Sequence, residues 1–149
     1  MQTAKQLSVM LVNKPGRLAA LMAALNKGKV NLRALSVMDS GERGTLRFVP
    51  DDFDAAKEVL DELGTRFDTT DVLLTEVPGQ AGAFGHVCER LAAEHLNIDY
   101  AYSSFNGGKA KGGVLAVIKV NDLAKAQRIL TGNGSSSRRK PGRRPVHTR

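Results

Sequence analysis

Two apolar rhythms alternate along this chain, one of period two and one of helical period. Residues 6–12 predict a short buried strand, ended by Pro15-Gly16. Leu18, Leu21, Met22 and Leu25 then recur at i, i+3, i+4 and i+7, the stripe of a helix packed on one side. Gly28 is expected to stop that helix. Residues 30–38 read as a second strand, and turn-forming residues 39–44 lead into a third at 45–49, which predicts a hairpin. Asp51 and Asp52 are placed to cap a helix with the stripe Ala56, Val59, Leu60 and Leu63, with Gly64 as its stop. Residues 70–77 give a fourth strand. The order β-α-β-β-α-β predicts an α+β, ferredoxin-like fold, with a four-stranded antiparallel sheet and both helices on one face.

The pattern then repeats. Ala81-Gly82-Ala83-Phe84 opens a second helix sixty-six residues after the first such turn, and Phe84, Val87, Cys88 and Leu91 form its stripe. Residues 97–105 read as a strand, 106–113 as a longer glycine-rich loop, and 114–120 as a strongly β-forming run. Asn121-Asp122 caps a last helix through Leu123, Ala126 and Leu130, with the offset grown to about seventy by the loop. A repeat of this size predicts the whole architecture: two tandem units forming an extended antiparallel sheet with helices on one face. We divide the chain at 1–70, 71–130 and 131–149.

The second unit lacks a closing strand. Residues 131–149 are Gly, Ser, Pro and Arg with Val146 as the one large apolar side chain, too little to offset the entropy of ordering them. The tail is expected to be disordered. The second unit must then leave an edge open, borrow a strand, or use residues 67–77 in both sheets.

Charge sharpens this division. The chain has 149 residues and a net charge of +7, but Arg138, Arg139, Lys140, Arg143, Arg144 and Arg149 all lie in the tail with no acid beside them. Of the 22 bases, 16 remain in the body against 15 acids. Basic character belongs to the tail, not to the folded part. Cys88 stands alone, so no disulfide framework is expected, and no signal peptide or membrane-length apolar run is evident. We expect a soluble, cytoplasmic protein.

The candidate chemistry lies in the two strand–Gly–helix turns. The first turn of a helix has N–H groups without intrahelical partners and the positive end of the dipole, and a glycine there lets a carboxylate approach the backbone. An Asn with an aliphatic residue follows each turn, as Asn31-Leu32 and Asn97-Ile98. Its amide offers the donor and acceptor that an amino acid's two charged groups need.

The segments Asn13-Lys14-Pro15-Gly16-Arg17-Leu18, Val30-Asn31-Leu32-Arg33-Ala34-Leu35-Ser36 and Leu96-Asn97-Ile98-Asp99-Tyr100 resemble the signatures of ACT domains, and the chain is similar to small proteins made of two such units in tandem. The resemblance spans about residues 5–130. It implies a regulatory module whose units pair into an extended sheet and bind a free amino acid or similar effector between them. By position, the first site would use Asn13, Pro15, Gly16, Arg17, Leu18, Asn31 and Leu32, and the second Gly82, Ala83, Phe84, Asn97 and Ile98. Ala81 stands where the family usually has Pro, so the second site departs further from the pattern.

Three other readings compete. For an enzyme, His86 and Cys88 sit two apart on one helix and point in different directions, and no triad, carboxylate pair or metal-ligand spacing stands out. No catalysis, cofactor or metal is expected. Nucleic-acid binding through this topology needs aromatics on the central strands, where Phe48 is alone, although Tyr100 and Tyr102 share a face. The loop with Lys109 and Lys111 lacks phosphate-loop spacing. The tail alone suits weak polyanion binding, against a plain solvated extension or a shifted reading frame. The third reading is a ligand-free interaction module: Met10, Val12, Leu35 and Val37 predict a partly apolar sheet face away from the helices, covered in a homodimer.

Overall fold

Every element that the apolar rhythm predicts forms, and β1, β3 and β4 run longer than their apolar centres. The computed structural model describes residues 2–104 and 113–131. Their order is β1 (Gln2–Val12), α1 (Arg17–Lys27), β2 (Leu32–Ser40), β3 (Arg43–Pro50), α2 (Phe53–Glu62), β4 (Phe67–Val77), α3 (Ala83–Ala93), β5 (Ile98–Ser103), β6 (Val114–Val120) and α4 (Leu123–Thr131). Phe105, most of the glycine-rich loop and the basic tail beyond Thr131 lie outside the described residues.

The strands make one antiparallel sheet in the order β2-β3-β1-β4-β6-β5. A ferredoxin-like unit places its first strand between its third and fourth. Here β1 has β3 on one side and β4 on the other, and β4 in turn lies between β1 and β6. Each of the two long strands therefore opens one repeat and closes the other. This is the sharing that the 67–77 segment allowed, and β1 reciprocates it.

Both helix pairs pack on one face. Leu7 and Val9 of β1, Leu46 and Phe48 of β3, Leu21 and Leu25 of α1, and Ala56 and Leu60 of α2 form one core. Leu73, Ala116, Ile118 and Val120 of the sheet meet Leu91 and Ala126 of α3 and α4 in a second. Burying each large aliphatic or aromatic side chain contributes roughly 1.5–3 kcal/mol, so these clusters fix which face the helices cover. No helix among the described residues is long and apolar enough to cross a membrane.

The other face is buried in part by the sheet itself. The sheet curls until its edge strands touch, with Ala34 of β2 bridged to Ser104 beside β5. Inside the curl, Ala34, Val49, Val72, Leu74 and Val117 form a third cluster. The expectation of one apolar outer face at Met10, Val12, Leu35 and Val37 is corrected here. A bulge between Leu32 and Ala34 shifts the alternation of β2, so Leu35 pairs with Phe48 and Val37 with Leu46, on the helix side. Met10 and Val12 face away as expected and are 62% and 46% exposed.

Helix α1 ends at Gly28 as expected, but without the left-handed backbone of a glycine stop. Gly28 has φ −78°, and the left-handed residue that ends α1 is Lys29 at 59°, matched by His95 at 58° after α3. Gly28 also serves packing: a Cβ there would lie 2.5 Å from Val59 Cγ2 of α2. Leu63, assigned to the α2 stripe, is the C-cap just past Glu62 and is half exposed. Gly64 follows with φ 64°, as expected of a stop.

Candidate functional site

The four helices begin in two ways. Asp52 Oδ1 accepts the Ala55 N–H at 3.1 Å and caps α2, and Asp122 Oδ1 accepts the Lys125 N–H at 3.0 Å at the start of α4. The helices that follow the repeated turns have glycine caps with no side chain to offer. Gly16 (φ 86°) precedes α1 and Gly82 (φ 83°) precedes α3, both left-handed, which glycine adopts without strain. The Leu18 and Ala19 amides of α1, and the Phe84 and Gly85 amides of α3, find no acceptor among the described residues. These uncapped N–H groups carry the positive end of each helix dipole.

A pocket adjoins each such turn. The first, of about 120 Å³, is lined by Leu11, Val12, Asn13, Lys14, Arg17, Leu18, Val37, Gly44 and Leu46. The second, of about 190 Å³, is lined by Val77, Phe84, Ala101, Tyr102, Ser103, Val114 and Ala116. Five wall positions correspond through the repeat: Leu11 with Val77, Leu18 with Phe84, Val37 with Ser103, Gly44 with Val114, and Leu46 with Ala116. The pockets are one feature of the fold, formed twice. A wider groove of about 780 Å³ lies elsewhere, between Met10 and the α2–β4 connection at Thr65 and Arg66.

The expected site residues divide accordingly. Asn13, Arg17 and Leu18 line the first pocket, with Pro15 and Gly16 in its turn. Asn13 also clasps the β2–β3 hairpin: its Nδ2 donates to the Gly41 carbonyl at 3.2 Å and its backbone N–H to that of Glu42 at 2.8 Å. A Cβ on Gly16 would meet nothing within 4 Å, so what this position demands is its positive φ. In the second copy Phe84 lines the pocket, with Gly82 and Ala83 at the helix start.

Asn31 and Asn97 stand elsewhere, at the far ends of α1 and α3, each an eleven-residue helix of about 16 Å. The Asn31 N–H donates to Asp51 Oδ1 at 3.0 Å and its carbonyl accepts the Asp51 N–H at 2.9 Å. Asn97 repeats this with Asn121, donating to its Oδ1 at 3.0 Å. Its Nδ2 donates to Asp99 Oδ1 at 2.8 Å, and Lys119 pairs with Asp99 at 3.6 Å. Leu32 and Ile98 pack against the first and second cores. Within one chain, none of these four residues meets a turn pocket.

A polar cluster inside the curl was missed by sequence reasoning. Gln6 is fully buried and joins the repeats: its Nε2 donates to Tyr100 Oη at 2.7 Å, and its Oε1 accepts from Tyr102 Oη at 2.7 Å. The Arg47 guanidinium lies 4.1 Å from the Tyr100 ring centroid. Burial pushes the Tyr102 phenol well above its ordinary value, with the neighbouring Tyr100 adding to the shift and Arg47 opposing it. The shared face of the tyrosines was legible; their partner, more than ninety residues away, was not.

A family model described as an ACT domain pair matches residues 2–135. No curated protein matches the chain. Among solved structures, protein BT0572 from Bacteroides thetaiotaomicron is 33% identical with a TM-score of 0.80, covering 87% of this chain and 88% of that one. The ligand-free regulatory subunit of aspartate kinase from Thermus thermophilus gives 0.63 at 16% identity, covering 87% and 95%. E. coli aspartokinase III, in complex with lysine and aspartate, gives 0.55 at 15% identity, covering 89% of this chain and 30% of that one. At such low identity the last two show a shared fold.

Proposed function

The chain belongs to the ACT domain pair family, and from that premise we propose that it is a small regulatory protein that binds a free amino acid beside its glycine-capped turns. The observation that carries this reading is the contrast in capping. In two helices an Asp side chain accepts one first-turn amide, whereas the two that open on pockets have no side-chain cap and leave theirs to an external anion. In the first pocket, the α-carboxylate lies against the Leu18 and Ala19 amides, with the guanidinium of Arg17 beside it. The aspartokinase of the same fold is a complex with lysine and aspartate; free amino acids are the effector class we assign here.

The protein acts in the cytoplasm, without a catalytic step, as a homodimer of two-unit chains divided near residue 70. A second copy is the way to bring Asn31 or Asn97 to a turn, because each stands a helix length from the turn of its own unit. The test is a thermal-shift screen of the twenty amino acids. At least one is expected to raise the melting temperature, since a ligand at a hundred times its Kd stabilises by roughly 2.7 kcal/mol. Arg17→Ala, at an exposed position, should weaken that response and leave the unliganded melting temperature unchanged. A flat response to all twenty would remove the effector reading.

A further inference from the structure

The two turn pockets share a design but not a chemistry. The first has Asn13, Lys14 and Arg17 at its rim. The second has no charged residue in its lining and is larger. The walls are redistributed: Ala116 replaces Leu46 and leaves room on one side, while Val114 replaces Gly44 and Phe84 replaces Leu18, adding apolar surface on the other. Ala83 at the start of α3 replaces Arg17, which removes the cation. Phe84 and Val114, which are 40% and 38% exposed, both line this cavity. Two large apolar groups left partly in water on one concavity lose that hydration cost when an apolar group fills it.

We propose that the second cavity receives an apolar group, the side chain of an aliphatic or aromatic amino acid, so that the repeats sense different classes of ligand. That the ligand is an amino acid rests on the proposed function. The apolar preference rests on the cavity walls alone. Ser103 brings a hydroxyl-bearing residue to the lining, which suits a ligand with an apolar body and one polar end.

The experiment follows the methyl NMR signals of Val77 and Val114 during titration with L-leucine, with isoamyl alcohol, and with L-aspartate as a charged control. Leucine and isoamyl alcohol should both shift these signals, and aspartate should not. Ala116→Leu, which restores the residue of the first copy, should abolish the shifts. Phe84→Ala, at an exposed position, should weaken both apolar probes about tenfold and serves should the buried substitution disturb folding. A response to isoamyl alcohol without one to leucine would uphold the apolar cavity and sink the amino-acid reading. Silence of Val77 and Val114 toward both apolar probes, with an amino acid still binding at Val37 and Leu18, would overturn the inference and leave the proposed function standing.

Discussion

Lys5 lies directly opposite Asp71 in the β1–β4 ladder, and the two are also the same position of the repeat, sixty-six residues apart. A position can face its own equivalent only on a two-fold axis, so a pseudo-dyad passes between these residues. The rest of the ladder agrees: Ala4 opposes Val72 and Gln6 opposes Thr70, and each pair maps onto the other. In a dimer of identical single units, this position would set a charge against itself. Joining the units in one chain lets a base face an acid, and like charges directly opposite destabilise a sheet.

Asp71→Lys should therefore lower stability by about 0.2–1 kcal/mol, and the loss should shrink with added salt. Chemical denaturation at low and high ionic strength measures it. A salt-independent loss would mean that the charges at the dyad do not interact.

The Gln6 cluster predicts a larger effect. Gln6→Ala removes the side chain that both tyrosine hydroxyls bond, leaving polar groups unpaired inside the curl, at about 1–3 kcal/mol. Tyr102→Phe should cost less in the same assay, because Gln6 keeps Tyr100. Combining the two should cost less than the sum of the single losses.

Alkaline pH should weaken the fold through Tyr102. Its phenol is raised above the ordinary 10.0, so the native state holds a proton that the unfolded chain releases. Stability is then constant from this group below about pH 10 and falls as the pH rises beyond it. Tyr102→Phe should flatten that fall, as read from melting temperature against pH.

At Gly28, substitution by Ala should cost about 1–3 kcal/mol, because the added methyl overlaps Val59 Cγ2. Val59→Ala removes the obstructing methyl, so the double variant should be more stable than the sum of the single losses allows. Additive losses would show that α1 and α2 do not meet at this point.

Much of this was legible because it is local. The stripe of Leu18, Leu21, Met22 and Leu25 and the Asp52 cap are set by neighbours within a few residues, and the structure has both. The Gly16 and Gly82 turns were legible for the same reason. What escaped depended on partners far along the chain. Gln2 to Lys5 are polar or small and do not read as strand, yet their backbone pairs with residues 71–74. The face of Val37 turned on a bulge, which leaves no mark in a pattern of period two. That Asn31 and Asn97 bond the loop before the next helix, a helix length from their own turns, also needed the fold. The pocket walls from β5 and β6 were invisible until the strand order was known.

The sharing of β1 and β4 bears on how the chain comes off the ribosome. β1 is made first, but its partners on one side, residues 67–74, are synthesised some sixty residues later. At roughly 5–20 residues per second, the edge of β1 waits several seconds for its mate. During that interval Leu7 and Val9 can be sheltered by α1 and β3, while the strand's free backbone invites any passing extended segment. A nascent chain of this kind gains from a chaperone that shields β1 until residues 67–74 emerge. Synthesis arrested before that point should leave a protease-sensitive β1, however well the first hairpin and helix have formed.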